Sequence, residues 1–195
     1  IFGSRGLGDV YKRQVENFDS LKISLKNDQT IKAFSSRTII SGMASTAHGS
    51  AGIRLIGIDP TSESKVTNVH TSMVKGTYFT SIKSKPALIG KKLAEKLQLD
   101  IKKKIYLTFV DENGDQQRIK LKVEGIFKTA SNLFDRTNIY MKREDLQKIL
   151  ANNSAIHEIG IICEDLNIVD SKVDGLNESF PNNKIESWGQ IAPEL

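Results

Sequence analysis

The spacing of apolar and polar positions changes period several times along the chain, and each change marks an element. Val15, Phe18, Leu21, Ile23 and Leu25 recur at mostly helical spacing and predict a helix over about 15–25, ended by Asn27-Asp28. Ile31 to Ala44, with Ile39 and Ile40 inside it, reads as an extended strand. A small-residue loop, Ser45 to Gly52, and a second strand, Ile53 to Ile58, make the hairpin that joins these elements most economically. Asp59-Pro60 stops the second strand, because a residue before proline is pushed out of the helical region and proline has no N–H for a ladder. Farther on, Leu93, Ala94 and Leu97 share one face of a short helix beginning after Gly90, with Lys91, Lys92 and Lys96 mostly on the others.

The sharpest local pattern is the alternation Ile105, Leu107, Phe109, then a turn at 111–115, then Ile119, Leu121, Val123. A two-residue Asn113-Gly114 loop would set Leu107 opposite Lys120 and send the two apolar sets to opposite faces, since paired residues share a face. A three-residue loop, Glu112-Asn113-Gly114, instead pairs Leu107 with Ile119 and Ile105 with Leu121. This register predicts a positive φ at Gly114. Alanine there is expected to cost about 1 kcal/mol in urea unfolding, and an unchanged midpoint would contradict the register.

The last third reads strand, helix, strand, helix, strand. Asn138 to Met141 is a short strand and Arg143 to Leu150 a helix with Leu146, Ile149 and Leu150 inward; Ile156 to Cys163 is apolar enough for a buried strand. Leu166, Val169, Val173, Leu176 and Phe180 then form a helical stripe interrupted by Gly175. Five such side chains, at about 1.5–3 kcal/mol each when buried, outweigh the roughly 1 kcal/mol that the glycine costs. Lys184 to Trp188 is expected to close the unit as a strand, and Pro193 suits the first turn of a further helix.

Composition alters this picture little. The chain has 195 residues, 38% of them apolar and 26% charged, which fits a globular fold that needs no disulfide or metal. Its one cysteine, Cys163, can form neither an internal disulfide nor a cysteine-built zinc site. Residues 1–14 carry three glycines without apolar periodicity or a signal-peptide core, and they are expected to be a non-native leader outside the fold. Setting aside their Arg5, Lys12, Arg13 and Asp9 leaves 25 Lys+Arg against 22 Asp+Glu, so the net charge falls from +5 to +3. The longest apolar run, Ile159 to Cys163, is five residues, against about 20 for a membrane-spanning helix.

Enzyme signatures fail on spacing. Gly90-Lys91-Lys92 suggests the end of a phosphate loop, but Lys85 stands where glycine is needed and Lys92 where Ser or Thr is needed. His48-Gly49-Ser50-Ala51-Gly52 lacks the first glycine of a nucleophile elbow and lies between two strands. Catalysis there would need His48, Ser50 and an acid to converge within about 2.6–3.2 Å. His48, His70 and His157 have no second ligand at i+3 or i+4, and Glu63, Asp111, Glu112, Asp115 and Asp165 sit in predicted turns. These patterns assign no catalytic, cofactor or metal residue. The lysines between Lys91 and Lys104 read first as a solvated helix face and turn, and otherwise as contact with an acidic partner or lipid headgroups. The small net charge and lack of aromatic interleaving argue against nucleic acid.

Four stretches in order resemble the extracytoplasmic core domain of MacB-like and lipoprotein-releasing ABC transporter permeases. They are Leu55-Ile56-Gly57-Ile58-Asp59-Pro60, Lys75-Gly76-Thr77-Tyr78-Phe79, Ala87 to Leu97, and Val123-Glu124-Gly125-Ile126-Phe127. Asn138-Ile139-Tyr140-Met141 and the 187–195 segment fit the same pattern, so the resemblance spans about residues 20–195. It implies an α+β fold within residues 15–195: a porter-like α/β lobe from 15–65 and 130–195, and a β-rich, sabre-like lobe from 66–129. It also implies membrane helices on both sides of the domain, which would place it on the periplasmic side of the bacterial inner membrane. The implied task is mechanical, coupling ATP-driven motion to export or lipoprotein release, with no enzyme chemistry in the domain. The implied partners are a cytoplasmic ATP-binding subunit or domain, a second permease copy, and a periplasmic partner or lipoprotein substrate. Two departures stand out: Lys102-Lys103 replaces a common Gly-Asp, and the short 112–114 loop leaves no room for the long hook by which a lipoprotein-releasing permease recruits its carrier. A divisome-type permease domain and a stand-alone periplasmic binding or adaptor module are the alternatives.

Overall fold

The computed structural model describes residues 14–80, 85–111, 114–152 and 155–187. Eight strands and six helices form a mixed α+β fold: α1 (Phe18–Asn27), β1 (Ile31–Thr46), β2 (Gly49–Ile58), α2 (Pro60–Glu63), β3 (Met73–Gly76), β4 (Pro86–Gly90), α3 (Lys91–Leu97), β5 (Lys104–Val110), β6 (Gln116–Phe127), α4 (Asn132–Thr137), β7 (Asn138–Lys142), α5 (Arg143–Leu150), β8 (Glu158–Cys163) and α6 (Val169–Ser179).

Pairing in the order β2-β7-β4-β6-β5-β1, with β1 also paired to β2, closes six strands into a barrel. Ile40 faces Leu55 and Ala44 faces Ala51 across β1–β2; Ala44 also meets Leu107, which meets Ile119 across β5–β6. These residues join Ile89, Ile139 and Met141 in one buried cluster, so the inward side of each strand fills the barrel with its own side chains. Parity on β6 changes at a bulge: Ala87 pairs with Val123 but Leu88 with Gly125, so Ile126 rather than Phe127 joins the interior. Leu93, Ala94 and Leu97 of α3, and Leu146 of α5, pack into the same cluster. The outer side of β2, β4, β7 and the end of β6 carries a second cluster, in which Ile56, Leu88, Phe127 and Tyr140 lie under Tyr78, Phe79 and Phe134.

The first half of β1 leaves the barrel and pairs with β8, from Ile31–Cys163 to Arg37–Glu158. Helices α1 and α6 cover this two-stranded ribbon through Leu21, Leu25, Ile159 and Val173, with Phe34 and Leu176 beside them. One 16-residue strand therefore belongs to both the helical lobe and the barrel.

The β5–β6 hairpin has the expected register: Leu107 pairs with Ile119, Ile105 with Leu121, and Gly114 has φ +86°. Asp111 Oδ1 accepts from the Asp115 N–H at 2.9 Å, which ties the turn; Glu112 and Asn113 lie outside the described residues. The expected 45–52 loop is corrected to a tight turn at Ala47-His48, because Ser45 pairs with Ser50 and Thr46 with Gly49. Gly49 takes φ +146°, and the Thr46 hydroxyl accepts from His48 N–H and donates to the Leu97 carbonyl. The stripe over 166–180 is also shorter than expected. Leu166 is 87% exposed, and Asp165 accepts from Asn167 N–H in a 3-10 turn before α6 begins. Residues 184–187 form no strand; Ile185 is buried, and its carbonyl accepts from Asn177 Nδ2 in place of a ladder bond. Trp188, Pro193 and residues 1–13 lie outside the described residues.

Candidate functional site

Where β1 passes from the ribbon to the barrel, a group of polar side chains is buried. Arg37 extends from β1 to Glu63 of α2, its Nη2 at 2.8 Å from Oε1 and its Nε at 3.1 Å from Oε2, a two-pronged contact. A third prong, Nη1, donates to Glu158 Oε1 on β8, and Glu158 Oε2 also receives Arg54 Nη2 of β2 at 3.4 Å. Glu63 is fully buried and Glu158 nearly so. Burial acts to lower the Arg37 pKa, but the facing charges of Glu63 and Glu158 outweigh it and raise it, so the guanidinium stays charged. Burial likewise pushes the Tyr140 and Tyr78 hydroxyls above the ordinary phenol range.

Local sequence explains each placement. Pro60 opens α2 and Asp59 caps it by accepting from Ser62 N–H at 2.8 Å, which aims Glu63 back at β1. Gly160 makes room for the guanidinium, because a Cβ there would lie 2.9 Å from Arg37 Nη2. Neighbouring bonds tighten the crossing: Arg143 Nη1 donates to the Ser36 carbonyl at 3.0 Å, Thr38 Oγ1 donates to the Ala155 carbonyl, and His157 Nδ1 accepts from Ile39 N–H at 3.1 Å.

A second feature is linked to this junction through Val15 and Ile156. Glu16 N–H donates to Asn183 Oδ1 at 2.9 Å, Asn183 Nδ2 donates back to the Glu16 carbonyl at 3.0 Å, and Asn182 Nδ2 donates to Glu16 Oε2 at 2.8 Å. Residues separated by 167 positions are thereby clamped together. Val15 N–H donates to the Ile156 carbonyl at 2.7 Å, two residues before Glu158. A short chain of bonds thus runs from the clamp to Ile156, to Glu158, to Arg37 and along β1 into the barrel.

The residues singled out by sequence are not assembled in this way. Glu63, read as a turn acid, is the buried partner of Arg37, a correction that follows from the Pro60 cap turning its side chain inward. Asp111 and Asp165 do bond locally. His48 and Ser50 are exposed in the hairpin, and no hydrogen bond among the described residues joins either to a carboxylate. His70 meets its own turn at Thr67 and Tyr78 edge-on, while His157 is a buried acceptor. Among the described residues no three His, Cys, Asp or Glu side chains converge as a metal would require. Of the dense lysines, Lys91 and Lys92 lie beside Glu95.

No family model matches the chain, and no curated protein matches it. Among solved structures it is similar to the extracellular domain of the noncanonic ABC-type transporter YknZ from Gram-positive bacteria, at 17% identity and TM-score 0.59 over 85% of this chain and 86% of that one. It is also similar to the periplasmic region of MacB from Actinobacillus actinomycetemcomitans, at 14% identity and TM-score 0.60 over 95% of this chain and 85% of that one. The chain has the MacB-like periplasmic fold.

Within the MacB-like fold, the stretches that carry the sequence resemblance meet in space. Gly76 pairs with Gly125 across β3–β6, and Leu88 of β4 pairs with Gly125 from the other side. Gly76 has φ +72°, and a Cβ on it would lie 2.1 Å from the Glu124 carbonyl, so both conformation and contact demand glycine. Lys102, in the turn before β5, also adopts a positive φ of 69°.

Proposed function

We propose that this chain is the extracytoplasmic domain of an ABC transporter permease and that it transmits ATP-driven movement of membrane helices to export or to lipoprotein release. The observation that carries the reading is the clamp of residues 15–16 to 182–183, joined through Ile156, Glu158 and Arg37 to the barrel. Chain adjoining the clamp on either side starts from one edge of the domain, so two membrane helices attached there would pull on a single point. Strand β1 then carries the displacement, because ladder bonds to β8 at one end and to β2 and β5 at the other prevent it from extending. The MacB-like fold supports this reading.

In this reading the domain lies on the periplasmic side of the inner membrane and performs no chemistry. A cytoplasmic ATP-binding subunit or domain supplies the energy, and a second permease copy and a periplasmic partner or lipoprotein meet the domain outside the membrane. The barrel is filled by its own side chains, which disfavours a stand-alone module that holds a small ligand inside. The experiment that tests the proposal is a pair of spin labels, on Ser24 in the helical lobe and Ser50 on the barrel, followed through ATP turnover in the complete transporter.

A further inference from the structure

The outer side of the barrel is covered only in part. On β1, β5 and β6, away from the aromatic cluster, the outward positions are open, and they include Lys104, Tyr106, Arg118, Lys120 and Lys122. The register sets them in adjacent rows: Lys104 opposite Lys122, and Tyr106 opposite Lys120, with Ser45 on Tyr106's other side. In the next row Arg118 faces Thr108, which faces Met43. No acidic residue occupies an outward position on the paired stretches of these strands (41–45, 104–110 and 116–122). Among the described residues Lys104, Arg118, Lys120 and Lys122 make no ion pair.

Four unneutralised cations on so small an area repel one another, which costs stability that an acidic partner would recover. Their setting is also specific. The Arg118 guanidinium lies over the Tyr106 ring at 4.9 Å, which holds its donor fork in a fixed direction. Met43 and Val110 add exposed apolar area at 46% and 55%. An aromatic ring, an arginine and a methionine within a basic rim is the composition of a protein-binding patch.

We infer that this face docks an acidic protein surface, with carboxylates of the partner meeting Arg118, Lys104, Lys120 and Lys122 around Tyr106. A lipid surface is disfavoured by position, and this point alone rests on the function proposed above. The clamp and its helical lobe lie at the start of β1, whereas Met43 is nine residues beyond Phe34, roughly 30 Å along a strand at about 3.3 Å per residue. A membrane beside the clamp leaves this face well away from the headgroups.

The test uses the 195-residue chain labelled with ¹⁵N and two probes, a soluble Asp/Glu-rich decapeptide and vesicles of phosphatidylglycerol with phosphatidylcholine. The peptide is expected to shift amides at 43–45, 104–108 and 116–122. Lys104→Glu with Lys122→Glu should weaken it about tenfold, while Lys65→Glu with Lys148→Glu, equal in charge but elsewhere, should leave it nearly unchanged. Tyr106→Ala, which alters no charge, should weaken it roughly threefold. Shifts spread over unrelated lysines, equal losses in both charge-reversal variants, or no effect of Tyr106→Ala would overturn the inference, as would vesicles binding through these residues more tightly than the peptide. Binding is measured on the chain alone, so it can fail while the transport reading stands, and the reverse.

Discussion

Replacing Arg37 with methionine is expected to destabilise the protein by about 3–5 kcal/mol, read as a lower urea midpoint at unchanged slope. The substitution keeps most of the side-chain volume and removes the one positive charge that, among the described residues, faces both Glu63 and Glu158. Arg54 still reaches Glu158, but Glu63 is fully buried and is left with the Thr67 hydroxyl at 3.3 Å. An uncompensated buried carboxylate accounts for most of the cost, because the original attraction only offsets the desolvation of three charges. Adding Glu63→Gln to Arg37→Met removes that stranded charge, so the double variant should recover part of the loss instead of adding to it. A double variant as unstable as the sum of the singles would show that Arg37 and Glu63 act independently.

Gly90→Ala should cost about 3 kcal/mol or more, for a steric reason. A Cβ at Gly90 would lie 2.1 Å from the Asp135 carbonyl oxygen and 2.5 Å from its carbonyl carbon and Cα, all backbone atoms that no rotamer change can move. The backbone there is tethered: the buried Asp135 carboxylate accepts from Thr129 N–H at 3.0 Å and from the Thr129 hydroxyl at 2.8 Å. Helix α4 must therefore shift away from the β4–α3 corner or that loop must break. Gly175→Ala is the matched control. Its Cβ meets nothing within 4 Å in the middle of α6, so alanine should stabilise by roughly 0.5–1 kcal/mol. A Gly90→Ala variant as stable as the parent would show that α4 is free to move.

The two expectations differ in how visible their causes are in the sequence. The hairpin register follows from side-chain alternation alone, because the one-residue slip that sets Leu107 opposite Lys120 would set Ile119 opposite Thr108 and Leu121 opposite Tyr106, with the two apolar sets on opposite faces. Glycines and alanines between 45 and 52 looked like a loop because small residues are common there, yet Ala51 is small because it faces Ala44 inside a narrow barrel. Barrel closure depends on three pairs between β1 and β5, whose partners are some 60 residues apart in sequence and share no local pattern. The ion-pair junction was hidden for the same reason. Arg37 lies 26 residues from Glu63 and 121 from Glu158, and only the folded sheet makes them neighbours. Leu166 misled in the other direction, since it continues the stripe of α6 by spacing but stands outside the helix.

The family resemblance was legible earlier than its physical basis. Lys75-Gly76 and Glu124-Gly125 looked like weak separate motifs, whereas the fold makes them two sides of one glycine crossing between β3 and β6.

The central claim is that displacement applied at the clamp reaches the barrel without being absorbed on the way. Pulsed spin-label distances in the complete transporter, reconstituted in a membrane, measure this directly. With labels on Ser24 and Ser50, both exposed, the distance within one domain should hold its position and width through ATP binding and hydrolysis, while the Ser50 label changes its distance to a label fixed in the membrane helices. A distance between Ser24 and Ser50 that broadens or shifts with the cycle while the barrel stays in place would contradict the account.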